Sequence, residues 1–143
     1  MEEHAAPDAD SPHTPPDGVG DALVDALGSL SQALETVVRA RGRLYDFHQL
    51  TGSADLALGE AVRRLREAGA PDDADLLDRE ILGRNVVPGM WTYQLVEAYD
   101  DTYYDAFVDL ERRVRDHLIA GRRHVYEARM KRERRTPGSP HHR

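Results

Sequence analysis

Apolar residues recur at three- and four-residue steps along most of this chain, and nowhere do they alternate as a strand would require. The first such stretch, residues 19–50, places Leu23, Leu27, Leu30, Leu34, Val37, Val38 and Tyr45 on one helical face. Gly28 and Gly42 lie inside it and weaken it, since a helix-interior glycine costs about 1 kcal/mol relative to alanine. Thr51-Gly52-Ser53 reads as a stop followed by an N-cap. A second helix, 54–68, then turns Ala54, Leu58, Ala61, Val62 and Leu65 inward until Gly69 ends it. Pro71-Asp72-Asp73 opens a third, with proline in the first turn and acids at the positive end of the dipole. Its face is Leu77 and Ile81, and residues 85–89, with Pro88, break it. The fourth runs over 90–134 on a stripe of Val96, Tyr99, Tyr103, Phe107, Leu110, Val114, Leu118, Gly121 and Val125. Short connections favour antiparallel neighbours, so the pattern predicts an all-α, up-down-up-down four-helix bundle with a long C-terminal helix.

That length has a consequence. At about 1.5 Å per residue the fourth helix outruns the two middle helices by roughly 30 Å. Its overhang carries Val125 and Tyr126, and a second copy of the chain is the simplest cover for them, which makes a homodimer the expected assembly. The bundle domain spans 19–135. Residues 1–18, with Pro7, Pro12, Pro15, Pro16 and five acids against no basic residue, read as a disordered tail. Residues 136–143, with Pro137, Gly138 and Pro140, read as another.

Composition narrows the chemistry. The chain has no cysteine, so disulfides, thiolate metal sites and cysteine nucleophiles are excluded, and a reducing cytoplasm is the expected location. No apolar run is long enough to span a membrane, and the first residues lack the basic and apolar regions of a secretory signal. Lys131 is the only lysine among the basic residues, which reads as the codon bias of a high-GC bacterial genome. A net charge of −7 argues against nucleic acid as the default partner. The exception is the end of the fourth helix, where Arg122, Arg123, Arg129, Lys131, Arg132, Arg134 and Arg135 cluster. They suit phosphate contacts, but equally a helix C-terminus or pairing with the acidic N-terminal tail.

Motifs of known chemistry are missing. No glutamate has a histidine three residues later, as a di-metal bundle needs, and there is no His-Glu-x-x-His pattern, so no metal is expected. Ser29, Ser31 and Ser53 lie outside any Gly-x-Ser-x-Gly elbow. Both glycine-rich phosphate loops are absent. Glu97, Asp101, Asp105 and Asp109, spaced four apart, form a ridge opposite the apolar stripe and read as a solvated face. Trp91 sits where an aromatic usually staples a helix start onto the core, or, if exposed, anchors an interface.

What stands out is a set of polar residues on or beside the apolar faces. Arg41 and His48 fall within the face of the first helix; Glu80 and Arg84 flank that of the third; Asp100, Tyr103, His117 and His124 lie on or near that of the fourth. A charge turned inward needs a partner. Either these residues pair among themselves, with Asp100 the expected partner of Arg41 and Glu80 the alternative, or they line a pocket in which arginines receive a small anionic ligand. The first possibility goes with a non-enzymatic protein that works through protein–protein contact, the second with a ligand-binding or catalytic bundle. No catalytic residue and no cofactor can be assigned on this basis.

Overall fold

A computed structural model of the chain describes residues 11–142. It is all-α: four helices, the longest run of the C-terminal half among them, and no strand among the described residues. Helix α1 is Asp21–Glu67, α2 is Pro71–Glu80, α3 is Thr92–Tyr99, α4 is Asp105–Ile119 and α5 is Val125–Arg134. A π-helical turn, Asp100–Tyr104, joins α3 to α4, so that 92–119 is one continuous helix. A 3₁₀ turn, Ser11–His13, precedes α1, and an isolated bridge between Val87 and Met90 closes the turn before α3. Residues 1–10 and 143, parts of the two expected tails, lie outside the described residues.

The helix boundaries differ from the sequence pattern in two places. Thr51-Gly52-Ser53 does not end a helix: α1 continues through it to Glu67. No proline lies between Pro16 and Pro71 to remove a backbone donor. A row of partly or fully buried residues also runs unbroken across the glycine at three- and four-residue steps, from Leu44 through His48, Thr51, Asp55 and Leu58 to Val62. That tertiary packing overrides a local penalty of about 1 kcal/mol. Gly69, at φ 83°, then ends α1 as a left-handed cap, with the Ala70 N–H donating to the Leu65 carbonyl.

The second difference is at the other end. The expected fourth helix stops at Ile119, where Ala120, Gly121 and His124 all take positive φ. The Gly121 N–H donates to the Arg115 carbonyl, and the Arg115 guanidinium donates back to the Gly121 carbonyl at 2.8 Å. Arg115 is held in turn by Glu111, which is 7 % exposed. Helix α5 therefore starts afresh, and Val125, expected on an overhang, is buried in the chain's own core.

The described chain divides into two compact units. In residues 11–36 and 106–142, Val24, Leu27, Ile119 and Val125 form the core, with Val19, Leu23 and Leu118 packed on it. Gly28 lets Tyr126 in: a Cβ there would lie 2.7–2.9 Å from the Tyr126 side chain. Arg129 sits over the Tyr126 ring and is paired with Asp21 and Asp25. Before α1, His13 Nδ1 donates to the Arg123 carbonyl at 2.7 Å, and the Arg122 guanidinium donates to the Thr14 carbonyl. In residues 37–105, α1 and α3 run antiparallel, since Arg41 meets Asp100 while His48 meets Thr92. Only Val62, Ala74, Thr92 and Val96 are fully buried among its described residues.

The π turn explains which face of α4 packs. Its closing bond runs from the Asp105 N–H to the Asp100 carbonyl, one residue longer than an α turn. The inward row therefore moves on by one position, from Tyr103, Leu110 and Val114 to Tyr104, Glu111 and Arg115, and ends at Ile119, beside which Leu118 still packs on the core. Tyr103, Leu110 and Val114 are exposed instead, Leu110 by 57 %.

Candidate functional site

The polar residues of the middle unit gather where α1 faces α3 and the π turn. The Arg41 guanidinium grips Asp100 with two parallel bonds, Nε to Oδ1 at 2.7 Å and Nη2 to Oδ2 at 2.9 Å. This fork-on-carboxylate geometry is the strong form of the pair. The Tyr104 ring centroid lies 5.4 Å from the guanidinium carbon and that of Tyr45 lies 5.9 Å away, both in cation–π range. Tyr45 also meets the His48 ring edge-on at 5.8 Å, and His48 Nδ1 shares a 2.8 Å hydrogen bond with the hydroxyl of buried Thr92. One turn further along, Tyr99 stacks near Tyr103 and Tyr104.

The electrostatics follow from the pairing. The Arg41 hydrogen bonds hold the Asp100 carboxyl below the usual carboxylate range, against partial burial, which works the other way. Asp100 in turn raises the guanidinium of Arg41 above its ordinary value. No buried side-chain polar atom among the described residues lacks a hydrogen-bond partner. The constellation is thus closed on itself: two charges, two aromatic faces, one imidazole and one hydroxyl, each engaged by another member.

Of the residues singled out by the sequence, Arg41, His48 and Asp100 meet here. Tyr103 is on the rim, half exposed and against Tyr99. Glu80 is exposed at the end of α2 beside Arg79, and Arg84 is exposed with Nη1 donating to the Glu80 carbonyl. Neither reaches Arg41. His117 and His124 belong to the other unit. His117 is exposed, because the π turn rotates it off the inward row. His124 is exposed at the start of α5 with φ 56°, its ring 5.9 Å from that of His13.

Three participants were missed. Tyr45 reads only as one more residue of the apolar face, and neither Tyr104 nor Thr92 is singled out by the sequence pattern. The signal for Thr92 was its position, four helical residues before Val96 on the same inward row. Glu111, which the sequence pattern does not single out, is buried against Arg115.

A groove of about 450 Å³ opens elsewhere on the same unit, lined by Ala54, Asp55 and Leu58 of α1 with Ile81, Arg84 and Trp91. Trp91 is 41 % exposed, and its Nε1 donates to the Gly83 carbonyl at 3.3 Å. Arg84 is the one residue of the expected anion pocket that lines it. Among the described residues no group of three or more histidines and carboxylates is placed to hold a metal ion. Among the described residues no helix is long and apolar enough to cross a membrane. The chain matches no protein-family model, no curated protein and no solved structure.

Proposed function

We propose that this protein works without catalysing a reaction, through protein–protein contact, and that its partner is a second copy of itself. The observation that carries this is the placement of exposed apolar side chains. Among the described residues, twelve of the sixteen large hydrophobic residues left exposed lie in residues 37–105, the unit with the fewest buried ones. Apolar area left in water forgoes about 25 cal/mol per Å², and a concentration of it on one unit marks an association surface. Trp91, Tyr93, Phe47 and Tyr45 are of the aromatic class that anchors interfaces.

The rival reading, a pocket that accepts an anionic group, loses support from the same geometry. The Arg41 fork is occupied by Asp100, and its flanks by two tyrosines. Nucleic acid is disfavoured similarly, because Arg129 and Arg122 are engaged within the chain. A chain without cysteine and with arginine in place of lysine suits the cytoplasm of a high-GC bacterium.

Native mass spectrometry of the purified full chain, with light scattering at micromolar concentration, tests the proposal. Twice the mass of one chain is expected. A mass of one chain across the range would overturn it, and a co-purified small anion on a monomer would favour the pocket.

A further inference from the structure

We infer that the second copy docks antiparallel along α1, with the two-fold axis crossing that helix between Phe47 and Leu50. This rests on the homodimer reading and specifies its surface. One residue ahead of the row that packs inward, α1 carries a second row: Arg43, Phe47, Leu50, Ala54, Ala57 and Ala61, all exposed. Phe47 is exposed by 46 % and Leu50 by 68 %. The steps are four and three in alternation, the spacing of a helix–helix seam.

The row is self-complementary only when reversed. Its N-terminal half is bulky and basic; its C-terminal half is alanine, beside the open groove. An antiparallel two-fold lays Phe47 against Leu50, Thr51 and Ala54 of the partner subunit. It lays Arg43 over Ala54, Asp55 and Leu58 of the partner subunit, all three of which line the groove. The charges match. Arg43 has no ion pair among the described residues, while Asp55 has Oδ1 on the Gly83 N–H and its carboxylate facing the groove. A parallel pairing would instead set Arg43 on Arg43 and Phe47 on Phe47, leaving both grooves empty. The isologous arrangement closes at two copies.

Single-cysteine variants test it cleanly in a chain with no native cysteine. Leu50→Cys lies next to the axis, so its two thiols should be joined efficiently by a short bifunctional reagent. Ala61→Cys sits on the same row, but an antiparallel pair holds its two copies roughly 35–40 Å apart at 1.5 Å rise per residue, and it should not cross-link. Leu50→Glu, at an exposed position, should keep its helicity by circular dichroism and run as a monomer. Efficient cross-linking of Ala61→Cys, or a Leu50→Glu protein that is still a dimer, would overturn this surface while leaving the homodimer reading intact. A monomeric unsubstituted chain would remove both.

Discussion

The unit built from residues 11–36 and 106–142 and the unit built from residues 37–105 use the same kind of helix to opposite ends. The first gathers Val24, Leu27, Ile119 and Val125 into one core and seals its turn with a buried ion pair. It admits Tyr126 over a glycine, and fastens α5 to α1 through Arg129. The second buries little. It spends its inward positions on Arg41, His48, Thr51 and Asp55, and leaves Phe47, Leu50, Ile81 and Trp91 in water. Of the four inward residues only Arg41 is in an ion pair among the described residues; His48 bonds the Thr92 hydroxyl and Asp55 accepts from the Gly83 N–H, so the row buries little apolar area. The lesson is that a polar inward row and an apolar outward surface go together: a unit that does not complete its own core is suited to complete it with another chain.

That contrast can be broken first at Glu111. In the self-contained unit, deleting one member of a buried pair leaves the other uncompensated, at a cost of about 3–5 kcal/mol. Glu111→Ala should therefore lose about 3 kcal/mol in denaturant unfolding, and Glu111→Gln, which can still accept a bond from Arg115, much less. Equal and small losses for both would mean that Arg115 finds water and that this unit is not closed.

Gly28 gives the next effect. A methyl group there runs into the Tyr126 ring, and overpacking of this kind costs about 1–3 kcal/mol even though alanine is the better helix former. Gly28→Ala should lower the melting temperature, whereas Gly52→Ala, where a Cβ meets nothing within 4 Å, should raise it slightly. If both glycines respond alike, Tyr126 is not seated as described.

The smallest effect belongs to the middle unit. Asp100→Ala strands a guanidinium between two tyrosines, while Arg41→Met keeps the stem and drops the charge, so Asp100→Ala should melt lower. The double mutant should fall short of the sum, and strict additivity would show that the pair is not coupled. The pH dependence carries the same sign. Asp100 is held below its unfolded value of about 3.9, so the pair's contribution is fully present above that pH and fades as pH falls through the depressed folded value. In Arg41→Met that acid-side loss should shrink, as read from melting temperature between neutral pH and the onset of acid unfolding.

Much of the fold was legible because periodicity reports burial directly: the helical class, the inward positions Leu27, Leu34, Val37, Leu58 and Val62 of α1 and the start of α2 at Pro71 all follow from residue spacing. So does the Arg41–Asp100 pair, since each is the charge nearest the apolar face of its helix. Val38, Tyr45, Ala54 and Ala61, expected on the same faces of α1, are instead exposed. What was illegible depends on partners distant in sequence. Thr51-Gly52-Ser53 has the local chemistry of a break, and only the continuity of packing from Leu44 to Val62 shows that it is not one. His117 and Glu111 exchanged roles because a helical wheel drawn at a constant angle per residue fails once a turn holds an extra residue. The groove beside Trp91 is formed by α1 with the segment after α2, a juxtaposition that no local pattern encodes.

The π turn at Asp100–Tyr104 works like a shifted reading frame for the helix that follows it. Upstream, the inward frame reads Thr92, Val96 and Asp100; downstream, the sequence holds two overlapping messages one residue apart. The frame in use reads Tyr104, Glu111, Arg115 and Ile119, and the silent one reads Tyr103, Leu110 and Val114. The silent frame is the more apolar of the two. Removal of a single residue from the π turn would restore ordinary α geometry and leave the frame in use facing inward, because it takes out the one residue by which the turn is long. Rewinding the same five residues as ordinary α-helix, with nothing removed, would instead turn the silent frame inward and expose Glu111 and Arg115, and with them the clamp on Gly121.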